Sequence, residues 1–206
     1  MRQKTIFSIL LIIFVIFIDQ WIKVTVKTGM CLGDRIEIFS WFQIVFTENK
    51  GFAFGMSFFG TWILTLFRLV AVSVCAWYLV KCLRKDYPTG FIVCLSLIIA
   101  GAFGNIIDNC FYGLIFSEST PQFVMCGTKL VEPAHEVAWG TGYGSFLSGR
   151  VVDMFYFPLW TWPASWPLIG GSTFFGAVFN FADAAISCGA VAMVIFYRKM
   201  FSSTQN

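Results

Sequence analysis

Four aspartates, Asp19, Asp108, Asp153 and Asp183, stand inside or beside strongly apolar stretches of this chain. An ionisable side chain at membrane depth is costly, so a functional role is its first reading. Asp183 heads an apolar run reaching Phe196, within Phe179-Asn180-Phe181-Ala182-Asp183-Ala184-Ala185-Ile186, and Asp153 lies upstream in Val151-Val152-Asp153-Met154-Phe155. Paired carboxylates support one chemistry well. One, ionised, acts as base toward a water; the other, protonated, polarises a carbonyl and later feeds the leaving amine. Such acids titrate as a pair. Spacing alone equally allows acids that cap helices or line an ion path, and it does not say which acid faces Asp183. Ser187 and Cys188 have no His or Lys arranged to activate them.

These acids must be held by membrane helices. The 206 residues are 58% hydrophobic and 12% charged, about half the charge of a soluble domain. The pattern predicts an integral membrane protein of mainly α class, built as a single domain. Four spans are expected, at about 5–26, 61–80, 89–107 and 174–197. The first is too long, and lacks the small-residue cleavage site, for a signal peptide. Between the first two spans, 34–60 alternates apolar and polar residues around Thr47-Glu48-Asn49-Lys50-Gly51, which reads as short antiparallel strands. Such strands cannot cross a bilayer with open edges. The connection 108–173 is long, and Trp160, Trp162 and Trp166 with Pro158, Pro163 and Pro167 suggest a segment lying along the membrane interface.

Spacing refines the picture. Gly101, Gly104, Asn105 and Asp108 share one face of the third helix, where small residues permit close packing. Asn180 and Asp183 are three apart at the start of the fourth. Asp19 and Lys23 are four apart on one face, consistent with an intrahelical ion pair whose lysine snorkels outward, or with a part in positioning a site. Arg68 reads as snorkelling or pairing inside the bundle. Lys and Arg at 2, 4, 81, 84, 85, 198 and 199 fall on one side, so the positive-inside rule makes both termini cytoplasmic. All four acids then lie near the outer boundary of the bilayer. The net charge of +3 sits at helix ends and does not form a nucleic-acid surface. No Cys-x-x-Cys occurs and His135 is the single histidine, so neither a metal nor another cofactor is expected.

Five motifs in order resemble the signal peptidase II family, the bacterial lipoprotein signal peptidases. They are Asp19-Gln20-x-x-Lys23, Asn49-x-Gly51-x-Ala53-Phe54-Gly55, Gly104-Asn105-x-x-Asp108, Gly149-x-Val151-Val152-Asp153-Met154-Phe155 and Phe179-Asn180-x-Ala182-Asp183-x-x-Ile186. The resemblance implies a monomeric aspartic endopeptidase of the bacterial cytoplasmic (inner) membrane, with its site near the outer face. It implies Asp153 and Asp183 as catalytic pair, with Asp19, Lys23, Asn49, Gly51, Gly104, Asn105, Asp108 and Asn180 shaping or supporting the site. The implied substrate is a diacylglyceryl-modified prolipoprotein, cut just before its lipidated cysteine, with membrane lipid around it and globomycin-type cyclic peptides as inhibitors. The strands of 34–60 would cradle that substrate.

The chain departs from the family pattern twice. Asn109 stands where the family usually has Arg, which removes a guanidinium that another residue, such as Arg150, could supply. Residues 114–148 look like an insertion, either a lid or a lineage decoration. Cys31, Cys110 and Cys126 are all expected outside, with no pairing assigned. Two rival readings remain: a small transporter with an acidic proton relay, and a non-catalytic membrane scaffold. Clustering of the acids near one face, without an evident inverted repeat, argues against the relay.

Overall fold

The computed structural model describes residues 2–49, 61–121 and 132–202. Four of its helices are long and apolar enough to cross a membrane. Helix α1 (Arg2–Gly29) has 28 residues and rises about 42 Å, more than a ~30 Å hydrocarbon layer needs. Its last two turns, which carry Lys23 and Lys27, therefore reach the boundary of the apolar zone. After strands β1 (Arg35–Phe39) and β2 (Phe42–Asn49) come α2 (Thr61–Arg84) and α3 (Thr89–Ile107). Helix α3 continues through a π-helical turn, Asp108–Tyr112, into the short α4 (Gly113–Ile115). Strands β3 (Val151–Tyr156), β4 (Trp160–Thr161) and β5 (Thr173–Phe174) follow, and α5 (Phe181–Ser202) closes the chain.

Helix α3 is the buried centre of the bundle, while α1, α2 and α5 keep wide apolar faces exposed. Val72, Leu79, Ile92, Leu95, Ile99 and Ile106 pack α2 against α3. Val15, Ala100 and Ala185 join α1, α3 and α5. Close approach is set by small residues. A Cβ at Gly101 would lie 2.3 Å from the Ala182 carbonyl oxygen, and one at Gly104 would lie 2.6 Å from the Asp19 carboxylate. Among the charged groups at the opposite end, Lys4 pairs with Asp86 at 2.8 Å and donates to the Tyr87 carbonyl.

The sheet forms at the end where α1 stops and α5 starts. Its order is β1-β2-β3, antiparallel throughout, with Thr47 opposite Asp153, Glu48 opposite Val152 and Asn49 opposite Val151. The expected strand region 34–60 is thus two strands over 35–49, completed by β3 from beyond the third span; residues 50–60 lie outside the described part. Phe46, Val152 and Met154 bury the sheet's inner face against Val26, Met30, Tyr112 and Phe116.

The fourth helix begins at Phe181, where the sequence pattern places the span from 174. Residues 173–174 instead pair with 160–161, and Phe179 exchanges two backbone hydrogen bonds with Phe155, at 2.7 and 3.0 Å. The helix then starts because Asn180 caps it: its Oδ1 accepts from the Asp183 amide at 2.9 Å. Cys110 is buried among Val72, Ile106 and their neighbours. Cys110 is a free thiol, and Cys126 lies outside the described residues.

Candidate functional site

The Phe155–Phe179 bridge decides what Asp153 meets. Two residues before it on β3 stands Asp153; just after it stand Asn180 and then Asp183 in the first turn of α5. Asn180 Nδ2 donates to Asp153 Oδ1 at 2.6 Å and to Asn105 Oδ1 at 3.2 Å. Asn105 Nδ2 in turn donates to Asp183 Oδ1 at 2.8 Å. Two amides thus stitch the two carboxylates into one network. Asp153 is 5% exposed and Asp183 half-buried, at the wall of a cavity. Burial pushes the Asp153 carboxyl up to about 7, with the nearby Asp183 charge adding to the rise and the Asn180 hydrogen bond opposing it. Asp183 stands in the first turn of α5.

The orientation of Asn105 is dictated from below. Lys23 Nζ reaches Asn105 Oδ1 at 2.8 Å, and an ammonium can only donate, so the amide oxygen faces Lys23 and the NH2 faces Asp183. Lys23 also pairs with Asp19 at 2.9 Å and Asp108 at 2.8 Å. All three side chains are essentially unexposed, at 0%, 1% and 0%. Lys23 therefore does not snorkel: two carboxylates and an amide satisfy its three donors inside the bundle. Asp19 has a second task, accepting the Ala182 amide at 2.9 Å and so satisfying another free N–H of α5. Gly104 leaves room for that carboxylate.

Asp108 opens the π-helical turn, a feature that often marks functional positions by re-aiming side chains. Its carboxylate accepts from Gln20 at 2.9 Å and lies 3.4 Å from the Val152 amide. Gln20, from the Asp19-Gln20-x-x-Lys23 motif, and Tyr112, from outside any motif, complete this network. Gln20 Nε2 donates to Asp19 Oδ2, the Gly104 carbonyl and Asp108 Oδ1, while its Oε1 accepts from the Tyr112 hydroxyl at 3.1 Å. Glutamine carries no charge and has no periodic signature, so nothing flagged it.

Asn109 is completely buried and clamps the approach to β3. It donates to the Gly149 carbonyl at 2.8 Å and accepts the Gly149 amide at 2.9 Å. A Cβ at Gly149 would lie 2.0 Å from the Asp108 carbonyl oxygen, so glycine is required for this approach. Arg68 of α2 donates from Nη1 to Asn109 Oδ1 at 2.7 Å and feels the charges of Asp183, Asp108 and Asp153. Arg68, then, brings a guanidinium beside Asn109. Arg150 does not: its side chain bonds Glu48 and Glu118 and lies over the Tyr143 ring. The physical reason is strand alternation, since an offset of three residues puts Arg150 and Asp153 on opposite faces.

Asn49 is exposed, opposite Val151 and two positions along the strand from the Thr47–Asp153 pair. Gly51 lies outside the described residues. No cluster of three or more His, Cys, Asp or Glu fit to hold a metal occurs among the described residues. The described part of the insertion beyond residue 131 folds back on α4: Val137 donates to the Ile115 carbonyl and Gly144 to that of Gly113.

The model of signal peptidase (SPase) II matches residues 11–199. A lipoprotein signal peptidase of Porphyromonas gingivalis is 45% identical over 197 residues, covering 93% of this chain and 83% of its own. One from Amoebophilus asiaticus is 31% identical over 190 residues, 87% and 72% of the two chains. A bacterial membrane enzyme solved at 2.3 Å superposes with a TM-score of 0.59 at 24% identity, covering 97% of this chain and 92% of that one, a likeness of fold.

Proposed function

The chain belongs to the signal peptidase II family, and on that premise we propose that it is an intramembrane aspartic endopeptidase with Asp153 and Asp183 as its working pair. The observation that carries this reading is the network itself. Two carboxylates, on a strand and a helix far apart in sequence, are joined through Asn180 and Asn105 beside a cavity. Their settings differ in the way an acid–base pair requires. Asp153, nearly buried and pushed up to about 7, holds the proton near neutrality. Asp183, half-exposed to the cavity at a helix N-terminus, serves as base.

In this mechanism Asp183 removes a proton from a water as the oxygen attacks the scissile carbonyl. Asp153 gives its proton to the carbonyl oxygen, and a neutral tetrahedral diol forms. Asp183 then returns its proton to the leaving nitrogen, the C–N bond breaks, and Asp153 recovers a proton from the diol hydroxyl. Asn105, fixed by Lys23, holds one oxygen of Asp183 and leaves the other for the water. Asp19, Lys23, Asp108, Asn180 and Gly104 act through position. Asn49 and Gly51 are placed by this reading along the substrate's path.

The substrate of this reading is a diacylglyceryl-modified prolipoprotein, cut on the N-terminal side of its lipidated cysteine. Positive residues at the opposite end of the bundle orient the sheet and the dyad outward, with both termini in the cytoplasm. The test is cleavage of a lipidated prolipoprotein by protein reconstituted in bilayers. Asp153→Asn and Asp183→Asn should each lower turnover by about 10²–10⁴-fold while insertion is unchanged. Turnover within a few-fold of wild type in either variant overturns the assignment.

A further inference from the structure

Phe175, Phe179, Asp183, Ala184, Ser187 and Cys188 line a cavity of about 360 Å³. Asp183 stands at one end. Ser187 and Cys188, about one turn further along α5, are exposed on the helix's apolar outer surface at the other. The wall facing α5 is aromatic. Phe175 meets Phe179 edge-on at 5.9 Å, Phe179 stacks on Phe157 at 5.7 Å, and Phe157 stacks on Phe42 at 4.8 Å. From residue 154 to residue 182 the chain carries no Asp, Glu, Lys, Arg or His. This uncharged stretch exposes Trp160, Trp166, Leu168, Phe174 and Phe175, side chains suited to lipid and its interface. The cavity is thus an apolar slot that begins at a carboxylate and opens on a lipid-facing helix.

We propose that this slot is an acyl-chain subsite, which seats one hydrocarbon chain of the lipid attached to the substrate residue beside the cleaved bond. The proposal rests on the reading that the substrate is a lipid-modified prolipoprotein. A chain tethered next to the scissile bond must rise with that bond to the sheet end of the bundle, where α5 begins. Left in water there, each methylene would weaken binding by about fourfold. A slot running from Asp183 down to Cys188 keeps the chain out of water over that rise. Since the bilayer is already apolar, seating yields little net hydrophobic gain, and discrimination arises from fit. The occupant is the substrate's own chain and not a bilayer phospholipid, because the slot ends at Asp183.

The probe is a prolipoprotein peptide with a diazirine in one acyl chain of its diacylglyceryl cysteine, added to bilayer-reconstituted protein bearing Asp153→Asn. Illumination should attach the label at 184–188 and Phe175. A phospholipid carrying the same diazirine should label those positions at least about tenfold less. Substrate label confined to other helices, or equal labelling by phospholipid, overturns the proposal. In the otherwise unaltered enzyme, Cys188→Phe, which fills the slot from its exposed end, should raise KM for the lipidated peptide by about tenfold with kcat kept. Val194→Phe, at an exposed position of α5 outside the slot, should leave both constants near wild type. An unchanged KM in Cys188→Phe also overturns the subsite. Failure of the unaltered enzyme to cut any lipidated peptide would instead sink the function reading, so the two failures are told apart.

Discussion

Lys23 and Lys27 are one turn apart on the same face of α1, both fully buried, yet they organise different chemistry. Lys23 holds two carboxylates, Asp19 and Asp108, and passes its remaining donor to the amide that orients Asp183. One cation against two acids leaves that cluster a negative surplus, beside two further acids. Lys27 pairs with Glu48 at 2.5 Å and donates to Ser119, with the Tyr143 and Phe116 rings 5.0 and 5.4 Å away. Arg150 joins through Glu48 and Glu118, so two cations meet two acids. Burial alone would push Glu48 up. The Lys27 charge and the hydrogen bonds from Lys27, Ser119 and Arg150 hold it below the ordinary glutamate value. A balanced cluster ties α1, the sheet and the insertion together; the unbalanced one adjoins the pair proposed for proton chemistry.

Removing each lysine tests that division. Lys23→Met leaves Asp19 and Asp108 facing each other without a cation, and breaking a buried ion pair in this way costs about 3–5 kcal/mol. Asn105 also loses the donor that fixes its amide, and misplacement of a catalytic group costs about 10²-fold in rate. Thermal unfolding in detergent and cleavage per folded molecule should therefore fall together. Retained turnover per folded molecule would show that Lys23 is merely structural. Asp108→Asn added to Lys23→Met should recover part of the stability and little of the turnover.

Lys27→Met should behave otherwise. Glu48 keeps Arg150 and Ser119 as partners, so the loss is about 1–3 kcal/mol. Turnover per folded molecule should stay near wild type, because no hydrogen bond runs from this cluster to the dyad among the described residues. A matching loss of turnover would erase the distinction between the two clusters.

How far the comparison was readable from sequence depends on range. The face Gly101, Gly104, Asn105 and Asp108 follows from helical spacing, and all four residues turn toward α1 or α5, though spacing names none of their partners. The four acids at one end follow from the apolar runs. Pairing across long separation is different. The Phe155–Phe179 bridge, which delivers Asp153 to Asn180, has no local signature, and only the family likeness selected Asp153. Proximity in sequence misled for Arg150, where strand alternation sends the side chain to the other face. Arg68 reaches Asn109 from 41 residues away, and no periodicity links them. The late start of α5 was hidden because 174–180 is as apolar as the helix it precedes, and the stop lies in backbone pairing to β3 and the Asn180 cap.

The two regions should also answer oppositely to pH. Asp153 has its folded value raised to about 7 against about 3.9 unfolded. Folding takes up a proton between those values, so its contribution is fully present below about 3.9 and is lost as pH rises through about 7. Glu48 is lowered, so its contribution is present above about 4.3, the ordinary glutamate value, and is lost as pH falls through its folded value. Asp153→Asn keeps an acceptor for Asn180 while removing the charge. It should therefore raise Tm relative to wild type at pH 8, with the gap closing as pH falls toward 4. Glu48→Gln should lower Tm at pH 8 by more than at pH 4, where the wild-type advantage is already fading. A gap for Asp153→Asn that stays constant from pH 4 to 8 would show that burial does not hold a proton on Asp153, and the assignment of acid and base between the two aspartates would have to be reversed or abandoned.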